Sequence, residues 1–237
     1  MRHFRGWIAS CLTGGLIAAG TLASAETRPV VVELFTSQGC SSCPPADAFL
    51  HRLTQREDVI ALALHVDYWD YIGWEDSFAQ PAFTQRQKNY ARTGGRRSVY
   101  TPQMIIAGVD HVIGTHEEDA KALIARHAAI DTGVTVTVQT DAAGLATIEA
   151  TADAGVAGPL VVQLVRYMPR SRVEITRGEN AGREIDYANI VTEWSVLAEW
   201  NPGVPLMLQT HATGDAPGVV ILQGIGEGPI VAAARLR

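Results

Sequence analysis

Two cysteines separated by two serines, Cys40-Ser41-Ser42-Cys43, stand at the seam between a β-prone run and a helical one. That seam constrains the fold more than any other stretch. Upstream, residues 29–36 read Pro-Val-Val-Val-Glu-Leu-Phe-Thr, a continuous run of β-branched and aromatic side chains. Such a run is typical of a parallel strand covered on both faces, since a one-sided strand would alternate. Downstream, Pro44-Pro45 suits a first helical turn, and Ala46, Phe49, Leu50 and Leu53 recur at helical spacing. A second buried strand is predicted over residues 59–66. Strand, helix, strand in this order implies a right-handed βαβ unit.

A thiol at the end of a strand and the start of a helix has a chemical consequence. Unpaired backbone N–H groups and the positive helix end favour a thiolate, which lowers a cysteine pKa and makes the residue a nucleophile near neutrality. Two intervening residues let the second sulfur reach the first. Cys40, the more N-terminal, is expected to attack, and Cys43 to resolve the mixed disulfide that forms.

Residues 67–98 differ in texture. Tyr68, Trp69, Tyr71, Trp74, Phe78 and Phe83 concentrate there, followed by a basic helical stretch at 84–92 and by Gly94-Gly95-Arg96-Arg97. The segment reads as an insertion that covers something. Its aromatics are read as a satellite core, with a lid or peptide-binding surface as the alternative. Arg96 and Arg97 read as a solvated basic turn, with contact to an acidic partner as the alternative. Residues 104–107 and 111–113 form a predicted hairpin around Gly108, and residues 116–129 a helix with Ala120, Leu123, Ile124 and His127 on one side. From Gly133 onward seven β-prone segments, at 134–140, 145–151, 160–167, 185–192, 206–211, 219–223 and 230–234, alternate with turn formers such as Asp141-Ala-Ala-Gly144, Gly178-Glu-Asn-Ala-Gly182 and Asn201-Pro-Gly203. That spacing predicts an antiparallel sandwich or barrel. The domain reading is therefore 26–131, carrying the insertion 67–98, and 132–237.

Residues 1–25 read as a signal peptide: basic Arg2, His3 and Arg5, an apolar run from Trp7 to Leu22, then the small-x-small pattern Ala23-Ser24-Ala25. The run falls short of the ~20 apolar residues that a membrane span needs, and no later stretch could span a bilayer either. A periplasmic or secreted location is expected, with no membrane span once the leader is removed. The formal charge is −6 at pH 7, and the leader holds two arginines and no acids, so the rest is more acidic still. Such a balance argues against a nucleic-acid partner. Of the three cysteines, Cys11 falls in the leader. Two cysteines this close in an oxidising compartment cannot build a multi-bridge framework, which points to chemistry at the remaining pair.

With these features in view the sequence resembles the thioredoxin superfamily. Tyr100-Thr101-Pro102-Gln103 resembles that superfamily's cis-proline loop, and the resemblance implies a cis Thr101–Pro102 bond placed against the two sulfurs. Glu33, seven residues before Cys40, approximates the buried acid that assists proton transfer from the resolving cysteine. More narrowly, residues 31–47 together with His65-Val-Asp-Tyr-Trp-Asp70, Gly73-Trp74 and Tyr100-Thr-Pro-Gln-Met104 resemble a bacterial family of secreted thioredoxin-like proteins classed as a domain of unknown function. The fold class expected is α/β, a thioredoxin-like domain followed by a mostly antiparallel, β-sandwich-like C-terminal domain.

The function expected is that of an exported thiol–disulfide oxidoreductase. Its site residues are Cys40, Cys43, Thr101, Pro102 and Glu33, and its partner is a thiol- or disulfide-containing protein. No diffusible organic cofactor is required, because the cysteine pair is itself the redox group. Two alternatives stand beside it. One is a copper- or zinc-binding or transfer protein using the same pair, for which His65, Met104 and His111 are available by type. Copper-handling thioredoxin-like proteins usually space their cysteines one residue further apart. The other is a non-catalytic binding module in the β-rich region, with a structural disulfide. His65 and Asp67, at the end of the second strand, read as hydrogen-bonded loop anchors, with contact to a ligand cleft as the alternative.

Overall fold

The computed structural model describes residues 28–212 and 214–236. The expected signal peptide at 1–25, its cleavage site and Cys11 lie outside the described residues.

Strand β1 (Val30–Thr36) is buried along its whole length and is followed by helix α1 (Pro44–Leu53) and strand β2 (Val59–His65), equally buried. The two strands are parallel neighbours, in register from Val30 opposite Val59 to Thr36 opposite His65. Their alternation sorts the side chains. Val32, Leu34, Ala61 and Ala63 face α1, where they pack with Ala46, Phe49, Leu50 and Leu53, while Val31, Phe35, Leu62 and Leu64 enter a core on the other face. Full burial of each large apolar side chain stabilises by about 1.5–3 kcal/mol, which is why a helix this short holds its place.

The insertion opens with a 3₁₀ turn at Asp70–Ile72 and continues into helix α2 (Pro81–Thr93). Strands β3 (Gln103–Ile106) and β4 (Asp110–Ile113) form the antiparallel hairpin, with β3 lying along the free side of β1. Helix α3 (Glu117–Ala128) covers the same face as α1, burying Ala120 and Ile124.

Seven strands follow: β5 (Val134–Thr140), β6 (Leu145–Ala152), β7 (Leu160–Ile175), β8 (Arg183–Trp200), β9 (Leu206–His211), β10 (Gly218–Gly224) and β11 (Ile230–Arg235). They divide between two sheets. The first has the order β11-β10-β7-β8-β2-β1-β3-β4, and the second, β5-β6-β9, is a separate three-stranded sheet. Apart from the β1–β2 and β2–β8 neighbours, every pairing is antiparallel. Val134, Ile148 and Ala150 of the small sheet pack against Val162, Leu164, Val220 and Leu222 of the large one, giving a sandwich-like layer. The strands of the two chain halves meet where β8 runs beside β2, at Ala63 opposite Ile190, and Asn189 donates its amide to the Ala61 carbonyl at 2.8 Å. One core draws on both halves, Phe35, Leu64 and Phe83 packing with Val165, Val219 and Ile221.

Strands β7 and β8 run well past the segments that apolar patterning marks. Register shifts at Val162/Gln163 and Arg166/Tyr167 re-aim the ribbon, as bulges do. Its far end turns through Gly178, at φ +73°, where a Cβ would stand 3.2 Å from that of Trp74. The turn therefore arrives beside the insertion and, through it, the cysteines.

Candidate active site

The chain between β1 and α1 is wound into successive turns. The Cys40 amide donates to the Ser37 carbonyl, the Cys43 amide to the Cys40 carbonyl, and the Ala46 and Asp47 amides to the Cys43 carbonyl. Cys43 is the residue that caps α1. The two sulfurs are 2.14 Å apart, a bonded distance, with Cα atoms 5.4 Å apart. Pro44 and Pro45 carry no N–H, so Ala46 and Asp47 are the remaining first-turn donors, and both serve the Cys43 carbonyl. The Ser42 hydroxyl lies 3.4 Å from Cys40 Sγ, beside the positive end of the α1 dipole.

The loop is held from outside. Gln38 donates its amide to Asp76 Oδ2 at 2.7 Å, accepts Trp74 Nε1 at 2.8 Å and reaches Ser77 Oγ at 3.2 Å. Asn180, in the turn between β7 and β8, donates its side-chain amide to the carbonyls of both Gln38 and Cys40, each at 2.9 Å. Gly39 is tightly covered, since a Cβ there would sit 3.2 Å from Trp69 Cβ and the tryptophan would have to give by a few tenths of an ångström. Cys40 is 2% exposed and Cys43 0%.

The Thr101–Pro102 bond is cis. Thr101 accepts Trp69 Nε1 on its hydroxyl at 2.7 Å and Ser42 Oγ on its carbonyl at 3.5 Å. A Cβ at Gly114 would lie 3.0 Å from both Pro102 Cβ and Ala46 Cβ, so the proline packs towards the first turn of α1. Cys40, Cys43, Thr101 and Pro102 thus share one region. Beside them Tyr71, 81% exposed, stacks on Trp69 with ring centroids 6.5 Å apart. A second cis bond, Gly158–Pro159, lies away in the β-rich region.

Glu33 is not brought there. It belongs to the alternate positions of β1 that turn away from α1, and meets Arg86 of α2 with Nε to Oε1 at 2.7 Å. Tyr90 also donates to it, and Arg86 stacks over Trp194 at 3.8 Å and donates to Gln223 at 2.9 Å. Burial and the adjacent carboxylate push the Tyr90 hydroxyl well up. The expectation that Glu33 serves the resolving cysteine is corrected by strand alternation: it and the helix lie on opposite faces of the sheet.

The buried acid on the helix side is Asp47, one turn after Cys43. It accepts the Thr36 hydroxyl at 2.8 Å. Full burial pushes its carboxyl up to about 7, against the lowering influence of His65. His65, opposite Thr36 at the end of β2, places Nδ1 2.7 Å from Asp76 Oδ2, both side chains wholly inaccessible. The i, i+4 offset from Cys43 to Asp47 is a helical-face signal that could have found this acid from sequence.

His65, Met104 and His111 do not come together as ligands. His65 is engaged with Asp76, Met104 lies in the core beneath α1, and His111 Nδ1 is 3.0 Å from the Gln103 amide. Among the described residues no group of three His, Cys, Asp or Glu side chains is placed to hold a metal ion. Asp67 is a loop anchor, accepting the Thr84 hydroxyl at 2.6 Å. Arg96 and Arg97 are exposed.

A family model described as "Protein of unknown function (DUF1223)" matches residues 31–223. The chain is also similar to a structural-genomics crystal structure of a protein from Agrobacterium tumefaciens, at 32% identity and a TM-score of 0.76, covering 89% of this chain and 95% of that one. No curated protein matches.

Proposed function

This chain belongs to the DUF1223 family, and we propose that within it the protein is an exported thiol–disulfide oxidoreductase built on a thioredoxin-like N-terminal unit, with Cys40 and Cys43 as its redox pair. The observation that carries the reading is the bonded cysteine pair at the N-terminus of α1, flanked by the Ser42 hydroxyl and the buried carboxyl of Asp47. In the reducing direction the Cys40 thiolate attacks a substrate disulfide, forming a mixed disulfide and expelling one substrate thiolate. Cys43 then loses its proton and attacks Cys40 Sγ. The Cys40–Cys43 bond forms, the bond to substrate breaks, and the second substrate sulfur leaves with the electron pair. The oxidising direction is the reverse. The substrate is a thiol- or disulfide-containing protein, and Thr101 and Pro102 border the place where it is received.

The near-complete burial of both sulfurs favours a second reading, a structural disulfide. Titration of the mature protein against glutathione redox buffers, followed by thiol alkylation and mass, separates them. Reversible interconversion at a potential between about −270 and −120 mV, the span of thioredoxin-fold redox proteins, supports the oxidoreductase, with Cys40→Ser abolishing exchange. A pair that stays oxidised well below that span is structural. A pair that stays reduced and holds copper or zinc tightly replaces exchange with metal transfer.

A further inference from the structure

Strands β2 and β8 pair at one point, Ala63 opposite Ile190, and towards the start of β2 they part. Side chains take the β2 carbonyls there in place of a strand. Asn189, at φ +47°, donates its amide to the Ala61 carbonyl, and Arg235, at the end of β11, donates to the carbonyls of Glu57 and Val59 at 3.0 and 2.5 Å. The split leaves a cleft of about 340 Å³ between the end of α1, the start of β2 and the β7–β8 ribbon. That volume is in the range of small-molecule sites.

The charge lining the cleft is of one sign. Arg170, Arg235 and His51 border it together with Tyr167, and no Asp or Glu is among the described residues that do, in a chain whose formal charge is −6. The acids nearby are committed elsewhere. Arg56 holds Asp58 through bonds of 3.0 and 2.7 Å, and Arg172 holds Asp186 at 2.9 and 2.8 Å, with Arg170 3.5 Å from the same carboxylate. The last turn of α1 is satisfied as well: the Thr54 amide and hydroxyl take the Leu50 and His51 carbonyls, and the Gln55 and Arg56 amides take those of Arg52 and Leu53. These carbonyls therefore do not compete for the cleft's donors. By contrast, the His51 ring and the Tyr167 hydroxyl bond to no other described residue. The Arg235 charge reaches that hydroxyl, drawing its pKa down against the rise that burial causes.

We propose that this cleft binds a small organic oxyanion, a carboxylate or a phosphate monoester, between Arg235 and Tyr167, with Arg170 at its mouth. Two main-chain carbonyls pin the Arg235 guanidinium, and its other N–H groups, in the same plane, are left for a ligand. A pinned guanidinium loses little freedom when an anion arrives, which favours binding. The Tyr167 hydroxyl adds a donor, and a hydrogen bond from it to an anionic oxygen is charge-assisted. Pro169 and the Tyr167 ring, both bordering the cleft, offer an apolar wall to the carbon skeleton. The site adjoins the C-terminal end of α1, whereas the cysteines stand at its N-terminus. The inference therefore goes beyond the oxidoreductase reading and does not rest on it.

The test is an NMR titration of the oxidised, full mature protein with phenyl phosphate and with benzoate, reading backbone amides and arginine Nε–H groups. Ionic strength is held constant, because screening alone perturbs surface charges. The result expected is saturable shifts confined to the Arg235 Nε–H and to amides around Gln55, Tyr167 and Asn189, with a dissociation constant of about 1 mM or tighter for one of the two probes. Tighter binding of phenyl phosphate assigns a phosphate monoester, and tighter binding of benzoate a carboxylate. Tyr167→Phe keeps the ring and removes the hydroxyl, and should weaken binding about tenfold or more, as the loss of a hydrogen bond to a charged group does. Arg170→Gln, at an exposed position, should weaken it less. Shifts that do not saturate in wild type overturn the site without any variant, and so do shifts of equal size at the exposed Arg52 and Arg126. Wild-type affinity in Tyr167→Phe and in Arg170→Gln overturns it too.

Discussion

The side-chain amide of Asn180 donates to the main-chain carbonyl of Cys40 at 2.9 Å across 140 residues of sequence. One side chain in the β7–β8 turn thereby ties the β-rich region to the cysteine loop, and its second proton holds the Gln38 carbonyl at the same distance. Asn180→Ala leaves the Gln38 and Cys40 carbonyls short of a donor in a buried setting, at about 1–3 kcal/mol. We expect the loop to open more readily and the disulfide to be reduced by dithiothreitol on the order of tenfold faster under native conditions. An unchanged reduction rate would show that the turn merely rests on the loop.

Asp47 predicts how stability varies with pH. Its carboxyl is raised from 3.8 to about 7 in the folded protein, so between those values the native state binds more protons than the unfolded state. Stability from this group is present at low pH and is lost as pH rises towards 7, then levels off. Asp47→Asn removes the dependence while keeping an oxygen for the Thr36 hydroxyl. Urea unfolding at pH 5 and pH 8 should show wild type losing about 2–3 kcal/mol more than the variant over that interval. Parallel losses in both proteins would mean that Asp47 does not hold its proton when folded.

The sequence shows β1, α1 and β2 clearly because a strand buried on both faces and a helix with a single apolar stripe leave unmistakable spacings. Strands β5 and β9 begin and end where the sequence places them, at 134–140 and 206–211, because turn formers bracket each. The extension of β7 and β8 was not legible. Met168, Pro169 and Arg170 are exposed and interrupt the apolar pattern of β7 before Val173 and Ile175 resume it in a small buried cluster with Ile185 and Tyr187. The approach of Asn180 to Cys40 likewise has no local signature. The division of the seven late strands between two sheets depends on which edge β8 finds, which no single segment encodes. Glu33 and Asp47 are the instructive pair. Counting residues back from the cysteine selects Glu33, whereas sheet alternation sends it to α2 and helical periodicity brings Asp47 to the site.

Glu33 and Arg86 form a buried ion pair with Tyr90 and Gln223 around it. Removing one partner of such a pair strands the other charge, at roughly 3–5 kcal/mol. Glu33→Gln should therefore lower unfolding stability by an amount of that order and leave the midpoint potential of the cysteine pair where it was. A shifted potential in a folded Glu33→Gln protein would return Glu33 to the redox site.

Ser42 carries the last prediction, because α1 is short of donors at its start. With prolines at positions 44 and 45 and the Ala46 and Asp47 amides turned to the Cys43 carbonyl, the Ser42 hydroxyl, 3.4 Å from Cys40 Sγ, is the placed group that can donate to a Cys40 thiolate once it turns from the Thr101 carbonyl at 3.5 Å. A hydrogen bond to a charged acceptor contributes about 1.5–3 kcal/mol, equivalent to roughly one to two pKa units. In the reduced protein, Ser42→Ala should move the pH midpoint for iodoacetamide alkylation of Cys40 upward by about that much, while Ser41→Ala leaves it in place. If both variants alkylate with the wild-type profile, the helix dipole alone sets the reactivity of Cys40, and the dipeptide between the cysteines has no part in it.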